Sequence, residues 1–255
     1  MKFAAVIAIL FQMSAAMAQP APDTVVRSVA INFQYNKLIF PDSWQRSPIN
    51  ADGGQIDELE IPRCKKVLIT ALRKYPLSLL QEELQSVYFV KWMKFYNVGY
   101  GGTNSIDALY LTDNGVDMGY TELYLEQTFH HEFSSILYRN HPSLLNEKAW
   151  LSANMAGFKY NDPESGVGAI RNNQSSQELD TNLCVKGFLT QYSQSGMEND
   201  INTFAQNVFC PTQEFWTLVD NYPRIALKFS LMIIFYNSIN PVFTETYFRR
   251  LTHQN

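Results

Sequence analysis

A chain of 255 residues that is 46% hydrophobic carries more apolar surface than a disordered or low-complexity segment, which lacks the means to offset its ordering entropy. Its 20 Lys and Arg against 24 Asp and Glu give a net charge of -4, which excludes the concentrated basic surface of a nucleic-acid binder. The length allows a core of ample size, 14 Tyr and 17 Phe make much of it aromatic, and no G-x-G-x-x-G or Walker loop is present to cradle a nucleotide.

In chain order, Met1 to Ala18 (MKFAAVIAILFQMSAAMA) joins a basic Lys2, a short apolar stretch and an A-x-A site at Ala16 to Ala18. That pattern predicts a signal peptide over residues 1–18, cleavage before Gln19, and export to the periplasm or the medium. No Cys follows the site, so no lipid anchor is expected. The apolar run Leu227 to Tyr236 is too short for a bilayer, and no membrane span is expected in the mature chain. Cys64, Cys184 and Cys210 are far apart and odd in number, compatible with one disulfide and a free thiol.

Val25 to Phe33 alternates and is β-branched, which predicts a strand, and Asp42 to Gly54 reads as a loop. Arg63 to Tyr75 has helical period and stops at Pro76, and Leu77 to Leu84 predicts a second short helix. Gln85 to Tyr96 reads as one strand, Gly99 to Thr103 as a glycine-rich turn, and Ile106 to Leu111 as another strand. From Thr121 to about Asn140 the period is 3.6, with Leu125, Phe129, Phe133, Ile136 and Leu137 as a buried stripe. Ser143 to Asp180 reads as an irregular excursion and Leu183 to Tyr192 as extended. Asn199 to Phe209, Gln213 to Asp220, Arg224 to Tyr236 and Thr244 to Leu251 read as helices. Strands and short helices, then a central helix, then a helical C-terminal half make an α+β layout.

Three of the four histidines, His130, His131 and His141, fall in one short stretch, and His130 and His131 directly precede Glu132. A zincin helix reads H-E-x-x-H, because residues i and i+4 share a helix face and both imidazoles then reach one zinc ion. The Glu beside the first His takes a proton from metal-bound water. His131 and Glu132 supply the first two letters here, and Ser135 stands at the fifth. The same residues also suit an ordinary packed or solvated helix face. His141, ten residues after His131, has the spacing of a third histidine ligand, but it also suits a plain helix end before Pro142. Glu198 and Asp200, in the first turn of the helix that holds Phe204, are either carboxylate ligands or partners of the helix dipole.

TFHHEFSSIL, then GFLTQYSQSGMENDINTFAQNVF, then LKFSLMIIFY together resemble a family of exported zinc metallopeptidases of bacterial surface glycan-import systems, which are gluzincin-type zincins. The resemblance covers about half the chain, from Thr121 to near Tyr236. It implies a zincin-like α+β fold, with a small mixed sheet, an active-site helix below it and a helical C-terminal half. Residues 19–255 would then form a single zincin-like domain, α/β to about residue 142 and mostly helical after it. His131 looks like the first zinc ligand and Glu132 like the general base. Ser135 stands where the family has its second His. Asn202, Thr203 and Gln206 stand at the positions of three downstream acids, with Gln206 as the third-ligand position and Asn202, Glu198, His130 and His141 as alternatives. A hydroxyl and an amide are poor zinc ligands, so the implied cofactor, zinc, is held weakly or not at all.

Two functions follow from the resemblance. One is a zinc-dependent peptidase acting on peptide or protein substrates, impaired by these substitutions, with Tyr160 or Tyr192 as an assisting phenol. The other is an inactive zincin-fold module that binds peptide, glycan or a surface partner. Zincins hold extended substrate against an edge strand, and Ser105 to Leu111 is the candidate strand.

Overall fold

The computed structural model describes residues 28–161 and 166–252. The expected signal peptide and His253 lie outside these residues. Strand β1 (Ala30–Asn32) opens the described chain. β2 (Asp52–Gly54) follows a run of turns. Helix α1 (Ile61–Leu72) has Pro62 in its first turn, where a missing N–H costs nothing, and buries Cys64, Val67, Leu68, Ala71 and Leu72. Pro76 separates it from α2 (Leu77–Glu83).

The apolar run from Gln85 to Tyr96 does not form the single expected strand. It breaks at Lys91 into β3 (Ser86–Val90) and β4 (Trp92–Phe95), which belong to different sheets. The expected glycine turn is also strand: β5 (Val98–Tyr100) and β6 (Gly102–Asn104). β7 (Ala108–Thr112) completes the strands. One sheet has the order β1-β3-β7-β6, with β1, β3 and β7 parallel and β6 antiparallel to β7. A second, antiparallel sheet has the order β2-β4-β5. β7 is buried along its length and paired on both sides, as a central strand must be. The edge position expected of Ser105 to Leu111 is held by β6 instead, and β7 is a central strand.

Helix α3 (Glu122–Asn140) starts where expected. The Thr121 side chain caps it by accepting from the Tyr124 N–H, and His141 stands at its C-terminal cap. Its stripe of Leu125, Phe129, Phe133, Ile136 and Leu137 is buried in the main core. Short helices α4 (Glu147–Ser152) and α5 (Val167–Arg171) interrupt the irregular excursion. Leu183 to Tyr192, expected to be extended, holds the end of α6 (Thr181–Cys184), which Asp180 caps by accepting from the Asn182 N–H, and then tight turns such as Lys186 N–H to Leu183 O. The last four helices, α7 (Met197–Phe209), α8 (Gln213–Asn221), α9 (Pro223–Ile239) and α10 (Glu245–Leu251), fall close to their expected places.

The protein is thus mixed α and β, with its strands before α3 and helices after it among the described residues. α7 packs along α3 and brings Ile201, Phe204, Ala205, Val208 and Phe209 into the same core. Beneath the other end of α7, Asp200 is ion-paired with the buried Lys228 of α9 at 2.5 Å and accepts from Trp150 and Tyr160. Burial pushes the Asp200 pKa up and the Lys228 pKa down, each opposed by the charge of the other. The three cysteines are buried free thiols. No helix among the described residues is long and apolar enough to cross a membrane.

Candidate functional site

The stripe that buries α3 in the core turns its polar positions along the opposite faces, and the two neighbouring histidines part company there. His131 and Ser135, one turn apart, face Gln206 and Asn202, one turn apart on α7. His131 Nδ1 lies 2.8 Å from Gln206 Oε1, and Asn202 Nδ2 donates to Ser135 Oγ at 2.6 Å. A carbonyl oxygen only accepts, so Nδ1 carries the proton and Nε2 keeps its lone pair. Gln206 Nε2 in turn points at Gln177 Oε1 at 3.3 Å, which fixes the amide in that sense. Thr203, the third downstream position, bonds its own helix at Asn199 O and stays out of the cleft.

Glu132 is set from the other side. Its Oε2 accepts from Asn104 Nδ2 of β6 at 2.7 Å. Arg139 holds Asn104 in place, donating to Asn104 Oδ1 at 2.7 Å and to Ser105 O at 2.6 Å. Gly102 makes this approach feasible: a Cβ there would lie 2.5 Å from Thr128 Cγ2 and 2.8 Å from Glu132 Oε1. A Cβ on Gly101 would meet the Tyr124 hydroxyl. The two adjacent glycines are the sequence signal for β6 lying against α3, although by composition they resemble a turn.

Burial shifts both ionisable groups of the cleft. It pulls His131 down to about 4, partly opposed by the bond to Gln206, so the ring is neutral at pH 7. It pushes Glu132 up to about 7, with Asn104 and Arg139 pulling down and Glu198 pushing up. A carboxyl poised near neutrality has the proton affinity of a general base or acid. Two cavities meet at this pair, one of about 240 Å3 and one of about 220 Å3. Tyr100, Gly102, His131, Glu132 and Tyr192 line both, so the cavities form one groove beneath β6.

The remaining sequence candidates are placed elsewhere. His130 points to the opposite side of α3, where Nδ1 meets the Tyr75 hydroxyl at 2.8 Å and the ring stacks on Phe209. His141 leaves the groove at the end of α3 and binds Glu83 Oε1 at 2.6 Å. Tyr160 donates to Asp200 at 2.8 Å and is no cleft phenol, whereas Tyr192 stacks near His131 with ring centroids 6.0 Å apart. Of the two first-turn acids, Glu198 lines the smaller cavity and Asp200 is consumed by Lys228. Asn104 and Arg139 are groove residues that motif reading missed, because they lie on a strand and at a helix end outside the H-E-x-x-H string.

The donor set does not fit zinc. It has one imidazole. Gln206 already gives its carbonyl oxygen to His131, and Ser135 already accepts from Asn202. Among the described residues, the His, Cys, Asp and Glu atoms that lie within 4.8 Å of one another as a triple are those of Glu126, His130 and Cys210, outside the groove. That triple holds a cation of its own, since Lys74 Nζ lies 2.7 Å from Glu126 Oε1, and the Cys210 thiol is pushed up by burial and by Glu126.

A mixed sheet closed by an antiparallel edge strand, above a central helix and in front of a helical half, is a zinc metallopeptidase-like fold. A solved protein of Bacteroides caccae, described as a "putative zinc-binding metallo-peptidase", superposes with a TM-score of 0.53 over 91% of this chain and 89% of its own, at 14% identity. At that identity the likeness concerns the fold. No family model matches the chain, and no curated protein matches it significantly.

Proposed function

We propose that this chain is an exported, zincin-fold binding protein, one unit from residue 19 to 255, whose groove takes an extended ligand beside β6 without metal-dependent cleavage. The observation that carries this reading is the pair of hydrogen bonds His131–Gln206 and Asn202–Ser135, which join α3 to α7 through the positions where the sequence resemblance implies ligands. The edge position of β6 adds to it, since an edge strand leaves one row of main-chain groups open to an incoming chain.

A second reading, a weak zinc-dependent peptidase, is favoured by the neutral His131 and the near-neutral Glu132. Metal analysis and peptide cleavage by the purified mature protein separate the two. The binding-module reading expects substoichiometric zinc and no chelator-sensitive cleavage. Ser135→His combined with Gln206→Glu, or with Asn202→Glu, is expected to bind zinc far more tightly than the parent. Stoichiometric zinc in the parent would overturn the binding-module reading. A double variant that gains no affinity would show that these positions do not surround a ligand site.

A further inference from the structure

The two halves of the groove differ in what they leave unpaired. The half that reaches Glu198 has a volume of about 220 Å3. Pockets that take a whole small molecule run to roughly 300–1,000 Å3, so this one suits an end group or a single side chain.

Most of its amide donors are committed. Asn104 donates to Glu132, Asn202 to Ser135, and Asn199 to Ser195 at 2.8 Å. Arg139 Nη2 is shared between Asn104 Oδ1 and Ser105 O. The acceptors are less fully used. Glu198 has no ion pair or hydrogen bond among the described residues. Glu132 engages Asn104 through Oε2, leaving Oε1 beside Gly102.

With carboxylate oxygens of Glu198 and Glu132 open to the groove, a ligand that brings donors is favoured. A primary ammonium brings three, together with a positive charge that Glu198 and ionised Glu132 attract. A metal ion suits the cavity less well, since its carboxylates and His131 do not converge as a close triple.

We propose that this half of the groove binds a primary ammonium group, the N-terminus of a bound peptide, through Glu198 and Glu132 Oε1. From there the peptide runs past His131 into the other half, whose walls include Gln127, Gln177, Tyr100 and Tyr124. The assignment rests on the groove-binding reading. A lysine side chain presents the same ammonium, and the test separates the two sources.

The probe is a mixed pool of pentapeptide amides, offered to the immobilised mature protein with free or with acetylated N-termini. Retained species are identified by mass and then titrated singly. Free peptides are expected to bind roughly tenfold or more tightly than their acetylated forms, the scale of a charge-assisted bond. Glu198→Gln, at an exposed position, is expected to remove that preference. Retention of acetylated peptides only when they contain lysine also supports ammonium recognition, with the side chain as its source. Equal retention of both pools irrespective of lysine overturns the ammonium assignment while the groove reading stands. Retention of neither pool overturns the groove reading, and this inference with it.

Discussion

His130 and His131 are neighbours in sequence, both buried and both lowered by burial to a pKa of about 4, yet they serve different sides of α3. The His130 side is closed. Its ring lies 4.8 Å from that of Phe209 and 5.5 Å from that of Tyr75, and Glu126 with Lys74 fills the remaining polar space. Burial would raise Glu126, but His130 and Lys74 together hold it below the ordinary carboxylate value. The His131 side borders two cavities and is held by side-chain bonds to one facing helix. A successive residue on a helix is rotated by about 100°, so one step in sequence carries a side chain from core to groove. The same residue type at similar burial therefore has a structural role on one face and an accessible lone pair on the other.

The largest expected difference between the faces is in packing. Phe209 touches Tyr75, His130, Tyr236, Phe243 and Phe248. Phe209→Ala should cost about 3–5 kcal/mol by chemical denaturation. A loss below 1 kcal/mol would mean that the closed face is not the anchor of the fold.

Acid should strike both faces through their histidines. Each is at about 4 when folded, against an ordinary 6.5. The unfolded chain therefore binds more protons between those values, and stability falls as pH drops from about 6.5 to about 4. Each histidine contributes on the order of 3 kcal/mol across that window. Glu132 acts in the opposite sense. Raised to about 7 from 4.5, it takes up its proton more readily when folded and stabilises the fold as pH falls from about 7 to 4.5. Glu132→Gln should therefore raise stability at pH 8 by ~1–3 kcal/mol and steepen the acid loss. Thermal melts across pH 4–8 read both effects, and a parallel shift of the whole curve would refute the assignment.

Gly102→Ala tests the groove wall. The added Cβ collides with Thr128 and Glu132, so a loss of about 1–3 kcal/mol is expected from overpacking, together with weakened groove binding. The smallest effect belongs to Gln206→Ala, which leaves His131 Nδ1–H without its partner in a groove that water can enter. A loss of ~1 kcal/mol is expected. A much larger one would place Gln206 in the core rather than at the groove wall.

The sequence by itself determined the helices best. The stripe from Leu125 to Leu137, the cap at Thr121 and the proline at the start of α9 are local signals, and local hydrogen bonding decides a helix. It also determined which residue types stand at the zincin positions: His131 and Glu132 in place, with Ser135 and Gln206 where the resemblance implies ligands. What it left open depended on partners distant in the chain. The break between β3 and β4, and the strand character of the glycines at 99–102, arise because each segment pairs with a different sheet. Only tertiary structure decided that His131 meets Gln206, 75 positions away, while His130 meets Tyr75, 55 positions away. Glu132 met Asn104, and Tyr160 was drawn to Asp200, by the same long-range packing. A periodic pattern gives the face of a helix, but what that face meets is fixed by the packing of segments far apart in sequence.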